Sequence, residues 1–177
     1  MSGGVISEEE FERNIVELAQ RSENCAEYRW SIAKYENGTL CKSSSMLEYK
    51  NEIVVRHFHI TYSRSYGVPV LWFNFYTREG NALHLEDITE ILRAEHNEAV
   101  EFEALKSISQ GEHPVLGIMF YHIHPCKTHL VMRHVRYDNY VLRTWNVEFP
   151  HSPYTPCGPR RFPEYPKHAF VMGHSPG

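Results

Sequence analysis

The stretch that most constrains this chain is FYHIHPCKT at residues 120–128, where an apolar run ends in a histidine–proline pair. The run over residues 115–121 is typical of a β-strand. Proline fixes its own φ angle and has no N–H group, so Pro125 cannot lie inside a central sheet. The strand is therefore expected to end near His124 and to leave Cys126 at the mouth of a loop.

Three chemical interpretations of Cys126 follow from these residues. A free cysteine is most often a small buried hydrophobic side chain. His122, His124 and Cys126 lie at i, i+2 and i+4, which suits a metal site, although Pro125 interrupts the strand alternation and the chain has no Cys-x-x-Cys or His-x-x-x-His pair. A cysteine held on a rigid support beside an open loop is also a candidate nucleophile.

Several blocks, in order along the chain, resemble one known family. The tripeptide His124-Pro125-Cys126 is similar to the active-site signature of the autophagy E2-like conjugating enzymes, which hold a ubiquitin-like modifier as a thioester. The segments EHPVLG at residues 112–117 and YSRSYGVPVLWF at residues 62–73 resemble the branch of autophagy-related protein ten, as do Asn139-Tyr140-Val141 and Trp145. The resemblance covers about residues 28–145 and implies an E2-like core.

This resemblance implies a two-step transfer with Cys126 as the catalytic residue and no cofactor. Cys126 takes the modifier from an E1-like activating enzyme and passes it to a lysine of an acceptor protein. The branch implies autophagy-related protein twelve as the modifier and autophagy-related protein five as the acceptor, in autophagosome formation. The alternatives are the sibling enzyme that acts on phosphatidylethanolamine, a zinc-dependent hydrolase that uses the histidine-rich strand, and an inactive adaptor.

The resemblance also raises the question of what stabilises the oxyanion. Conventional ubiquitin carriers have an asparagine where this tripeptide has its cysteine, so another group must donate to the oxyanion. The candidates are Gln110, His113 and Tyr66. His124 and Pro125 are expected to shape the turn that presents the thiol, with His124 more a turn residue than a base.

Composition excludes several other classes of protein. The net charge of −4 argues against a nucleic-acid footprint, which would be basic and clustered. No apolar run approaches the length needed to span a bilayer, so no integral membrane association is expected. Four scattered cysteines indicate a reduced, cytoplasmic protein. The 12 histidines show no closed ligand spacing, so no metal is predicted.

Periodicity predicts an α+β fold, with an antiparallel sheet of four or five strands and helices packed against it. A capping box at Ser7 starts a helix over residues 8–22. A type I′ turn at Asn37-Gly38 joins two strands, and further strands cover residues 52–62 and 70–76. A short helix follows over residues 86–95, then a polar loop with a possible helical turn at 101–107. Asp138 is a predicted cap for a last helix.

Two regions suggest surfaces for partners. Alternation places His57 and His59 on the face opposite Phe58 and Ile60, where they either bind the acceptor protein or pack under a helix. The predicted conjugating domain covers residues 1–149. Residues 150–177 form a proline-rich tail in which prolines recur every third residue, the period of a polyproline II helix.

Overall fold

The computed structural model describes residues 5–25, 29–95 and 106–128, which form one antiparallel sheet with two helices. The strand order is β1-β2-β3-β4-β6-β5. The α+β prediction is confirmed, with six strands where four or five were predicted. The elements are α1 (Glu8–Arg21), β1 (Trp30–Tyr35), β2 (Gly38–Tyr49), β3 (Glu52–Ser63), β4 (Val68–Thr77), α2 (Leu85–Glu95), β5 (Ile108–Glu112) and β6 (Met119–Ile123).

Helix α1 begins where the capping serine predicts. The Ser7 side chain accepts a hydrogen bond from the Glu10 N–H at 3.1 Å, which satisfies one of the free amides of the first turn. Phe11, Ile15 and Leu18 recur at helical spacing and are buried against the sheet. The helix ends one residue before the predicted boundary, at Arg21.

Strands β3 and β4 lie at the centre of the sheet, and buried side chains pack on both of its faces. Residues 70–75 of β4 are all buried, as expected for a strand covered on both faces. One face contributes to the main core with α1 and α2. On the other face, Val70 and Trp72 form a second cluster with Phe120, against which Leu116 packs.

The hairpin predicted at Asn37-Gly38 exists, but its turn differs. Tyr35 pairs with Gly38, so Glu36 and Asn37 are the turn residues, and neither has a positive φ angle. The Asn37 side chain donates instead to the carbonyls of Pro114 and Val115, at 3.1 and 3.2 Å. The type I′ prediction at this site is therefore wrong.

The turn with the type I′ signature joins β2 to β3. Lys50 and Asn51 have φ angles of 51° and 64° between the paired residues Tyr49 and Glu52. Strand β2 runs without a break through Ser43, Ser44 and Ser45.

The second half of the sheet corrects two further predictions. Residues 108–110, predicted as the end of a polar loop, belong to β5, which pairs with β6. The apolar residues 114–116 form a turn between these strands, closed by the His113 N–H, which donates to the Ile118 carbonyl at 2.8 Å. The strand predicted over 115–121 thus begins at Met119.

Some predictions lie outside the described residues. These are most of the possible helical turn at 101–107, the helix capped by Asp138, and the tail at 150–177 with its domain boundary. Within the described residues, no helix is long and apolar enough to cross a membrane.

Candidate active site

The His-Pro-Cys tripeptide forms a short, rigid turn directly after β6. The strand ends at Ile123, and a single turn of 3-10 helix follows at Pro125–Lys127, which confirms the predicted end of the strand. Proline disfavours a helical conformation in the residue before it, and His124 is extended, with a ψ angle of 129°. The Lys127 N–H donates to the His124 carbonyl at 2.9 Å, and the His124 N–H donates to the Ser107 carbonyl at 3.1 Å.

His124 caps this turn and contacts the thiol of Cys126. Its Nδ1 atom accepts a hydrogen bond from the Cys126 N–H at 3.2 Å and lies 2.8 Å from the Cys126 Sγ atom. The sequence predicted that His124 shapes the turn, but neither the cap nor the contact with sulfur was predicted. The sequence does contain a signal for the cap. Pro125 has no N–H, so the first free N–H of the turn is that of Cys126, and the preceding His124 can accept from it.

Cys126 is the exposed member of the three cysteines in the described part of the chain. Cys25 and Cys41 are buried in the core, and burial raises the pKa of the Cys41 thiol to about 12. A thiol that does not ionise is a poor nucleophile, so Cys41 is chemically inert. Cys157 lies outside the described residues.

Tyr66 is the one oxyanion candidate that the structure brings into contact with the tripeptide. It lies in the turn between β3 and β4, is 47% exposed, and its ring meets the His124 ring edge-on at 5.8 Å. The N-terminal segment fixes this turn, because the Ile6 N–H donates to the Gly67 carbonyl at 2.8 Å and the Tyr62 hydroxyl donates to the Ile6 carbonyl at 2.7 Å.

His113 occupies a structural position in the interior. Its ring is 0% exposed, and its Nδ1 atom lies 3.2 Å from the backbone N atoms of both Val115 and Leu116, from which it accepts. Its Nε2 atom lies 3.3 Å from Nδ1 of His59. With both nitrogens engaged, His113 has no free donor for an oxyanion at the exposed Cys126, which corrects that assignment.

Gln110 is exposed and far from any described contact with the tripeptide. It lies on β5 opposite Tyr121. Alternation directs its side chain to the face opposite that of His122. The structure therefore does not bring Gln110 together with His124 and Cys126.

The two histidines predicted to bind an acceptor have different environments. His59 is 6% exposed and stacks on Phe120 with ring centroids 4.9 Å apart, and burial lowers its pKa to about 3. His57 is half-buried, hydrogen-bonds to Ser44 at 3.2 Å, and lies edge-on to Tyr76. His59 is therefore buried, but against His113 and Phe120 and not under a helix as the packing alternative expected. Of the two histidines, only His57 reaches the surface.

A groove of about 430 Å³ leads to the tripeptide. It lies between the start of α1, the turn between β1 and β2, and the 113–118 turn. Its walls combine charged and apolar groups, among them Glu8, Glu12, Arg64, Val70, Trp72, Val115, His122, His124 and Pro125. Glu8 and Arg64 neutralise each other through an ion pair of 2.8 Å. Among the described side chains, no group of three or more His, Cys, Asp or Glu is placed to hold a metal ion.

Comparison with known proteins places this site in a family context. A family model described as "Autophagocytosis associated protein, active-site domain" matches residues 7–147. The chain is 38% identical over 82 residues to the human "Ubiquitin-like-conjugating enzyme ATG10", and 35% identical over 82 residues to the protein of the same name from Dictyostelium discoideum. Each alignment covers 46% of this chain, and 37% and 36% of the relatives, so the match spans little more than a third of their length.

Among solved structures, the crystal structure of "Autophagic E2, Atg10" aligns with a TM-score of 0.47 and 16% identity, over 78% of this chain and 90% of that one. The family model covers most of the sequence, including the His-Pro-Cys tripeptide and the strands that support it. The chain therefore belongs to the family of autophagocytosis-associated proteins that carry this active-site domain.

Proposed function

We propose that this protein is an E2-like transferase that carries a ubiquitin-like modifier as a thioester on Cys126. The observation on which this rests is the exposed Cys126 thiol, held by Pro125 at the end of β6 with a histidine nitrogen 2.8 Å from sulfur. A carrier needs this placement, because two large partners must reach the same sulfur in turn. The names of the curated relatives support the same conclusion.

The chemistry asked of the protein is modest. A thioester already stores the free energy for transfer, so the enzyme mainly positions the reacting groups and stabilises the oxyanion. Tyr66 is exposed and packs against His124, and it is the side chain we assign to the oxyanion. The groove that ends at His124 and Pro125 has the volume of an ordinary ligand site and would hold the extended C-terminal residues of the modifier.

The finer assignment follows the family branch. The modifier is autophagy-related protein twelve, delivered by an E1-like activating enzyme, and the acceptor is a lysine of autophagy-related protein five. His57, at the surface of β3, remains a candidate contact for the acceptor.

The deciding experiment is a loading assay with activating enzyme, modifier and ATP, followed by electrophoresis without reductant. Wild type should give an adduct that reductant cleaves, and Cys126→Ser should give an oxyester that survives reductant. Cys25→Ser is the matched control, because its sulfur is buried, and it should load like wild type. An adduct that is lost in Cys25→Ser, or normal conjugation by Cys126→Ser, would contradict the assignment. Transfer to phosphatidylethanolamine vesicles would indicate the sibling enzyme.

A further inference from the structure

We infer that His124 accepts the thiol proton of Cys126 as the thioester forms. The identity of the reacting thioester rests on the proposed function, but the contact itself belongs to the free protein. His124 Nδ1 lies 2.8 Å from Cys126 Sγ, within direct hydrogen-bonding distance for sulfur.

The hydrogen bonds define which atoms carry protons. The Cys126 N–H is a fixed backbone donor that points at His124 Nδ1 from 3.2 Å. A backbone N–H cannot accept, so Nδ1 holds a lone pair and the ring proton is on Nε2. The short contact with sulfur then requires the hydrogen of the S–H group. In this pair the Cys126 thiol is the donor and His124 Nδ1 is the acceptor.

This arrangement supplies a base at the moment of attack. As Sγ forms its bond to the carbonyl carbon of the incoming thioester, the S–H bond breaks and its proton moves to Nδ1. Collapse of the tetrahedral intermediate then breaks the bond between carbon and the sulfur of the activating enzyme. That departing thiolate takes the proton from Nδ1. One thiol and one thioester enter, one thiol and one thioester leave, and no net charge is created.

The tripeptide builds this pair from local geometry alone. Pro125 keeps His124 in an extended conformation and has no N–H of its own. The first free amide of the turn is therefore that of Cys126, which donates to the His124 imidazole two residues before it. Protonated Nδ1 can no longer accept from that amide, so the hydrogen bond to the Cys126 N–H breaks while Nδ1 holds the proton and forms again when the departing thiolate takes it. His124 therefore acts as a transient proton acceptor.

The other titratable groups near His124 come from three neighbouring parts of the fold. The Tyr66 ring meets it edge-on at 5.8 Å, and the His122 ring centroid is 6.3 Å away on β6. Lys127 follows in the same turn. The same groove is also lined by the charged side chains of Glu8, Glu12, Arg64 and Glu112. A pH profile of Cys126 must therefore be measured against a variant that leaves all of these groups in place.

The test is His124→Asn in the full chain. Asparagine is a good capping residue, so its side-chain oxygen can still accept from the Cys126 N–H, but it is not a base. The first measurement is alkylation of Cys126 by iodoacetamide between pH 6 and 9.5, followed by mass spectrometry of the Cys126 peptide. Thiols are only a few per cent ionised at pH 7, so assistance from a base matters most there. Wild type should react at least about fivefold faster than His124→Asn at pH 7, and the two should converge above about pH 9.

The second measurement is the loading rate with activating enzyme and modifier. His124→Asn should load at least about tenfold more slowly at pH 7 and recover at pH 9. His84→Asn, at an exposed position before α2, is the control and should match wild type in both assays.

The outcomes separate this inference from the proposed function. If His124→Asn overlays wild type at every pH, or is equally slow at every pH, His124 is only a turn residue and the inference is wrong. If loading succeeds without a pH-dependent difference, the proposed function stands and the inference fails. If no variant loads but the alkylation difference is present, the proton acceptor is supported and the proposed function fails.

Discussion

Lowering the pH from 7 to 5 is expected to reduce the free energy of unfolding by about 4 kcal/mol, because two buried histidines must stay neutral in the fold. Burial lowers the pKa of His59 to about 3, and that of His113 to about 4. His113 Nδ1 accepts from backbone N–H groups, so its Nε2–H donates to His59 Nδ1, and a further proton on His59 Nδ1 would oppose that donor.

The sign follows from where the protons bind. An unfolded histidine has a pKa near 6.5, so below that pH the unfolded chain binds protons that the folded protein excludes. The contribution of the two neutral histidines to the free energy of unfolding is fully present above about pH 6.5 and is lost as the pH falls below that value. Each histidine contributes about 2 kcal/mol between pH 7 and 5, at about 1.4 kcal/mol per pH unit once the unfolded ring is protonated. The pKa values of Glu8 and Asp87 are lowered by Arg64 and Lys50, so these carboxylates stay ionised at pH 5.

Urea unfolding at pH 7, 6 and 5, followed by tryptophan fluorescence, measures this loss. His113→Asn keeps a side-chain acceptor for the backbone and removes one titrating ring, so its loss between pH 7 and 5 should fall to about 2 kcal/mol. His84→Gln removes an exposed histidine and should leave the full loss of about 4 kcal/mol. A loss under about 1 kcal/mol in wild type, or an unchanged loss in His113→Asn, would refute the buried neutral pair.

Two further substitutions test the parts of the fold that lie beside the site. Gly67→Ala should cost about 2 kcal/mol, because Gly67 has a φ angle of 63° and a Cβ atom there would lie 2.4 Å from Val5 Cγ1. Gly80→Ala, with a φ angle of 88° and nothing within 4 Å, should cost about 1 kcal/mol, and equal losses in thermal unfolding would exclude the Val5 contact as a cause. Ser7→Ala should cost about 1 kcal/mol through loss of the α1 cap, while the same change at exposed Ser65 should cost less than about 0.5 kcal/mol.

Long segments with a regular pattern of apolar residues were predictable from the sequence. Short segments, and segments whose structure depends on contacts with distant residues, were not. Helix α1 and strands β3 and β4 each repeat one pattern over ten or more residues, so local physics alone identifies them. Strand β5 has five residues, including Gln110 and Gly111, and forms only because β6 offers a partner. The apolar residues Val115 and Leu116 look like a strand but form a turn, since a turn that covers Trp72 must also be apolar.

The same distinction holds for turns and for the site. Asn37 was assigned to a type I′ turn, yet its side chain holds the 113–118 turn, a contact between residues 77 positions apart. His113 is an oxyanion candidate on the sequence alone, and its contact with His59, 54 positions away, shows its place in the interior. Cys126 was selected through the family resemblance of its tripeptide, and the two residues that precede it encode the turn that presents it.

The site combines the His-Pro-Cys turn with residues from distant parts of the chain, and the two have different effects. Contacts within residues 124–127 alone place the Cys126 thiol beside the His124 imidazole. Tyr66 lies edge-on to that ring, and the turn that contains Tyr66 is held by the hydrogen bond from the Ile6 N–H to the Gly67 carbonyl, just before the α1 cap. Displacing the N-terminal segment should therefore leave alkylation of Cys126 almost unchanged and slow thioester formation, because only the second reaction needs a group at the oxyanion. That result would show that the reactivity of Cys126 and the competence of the protein for transfer are separable.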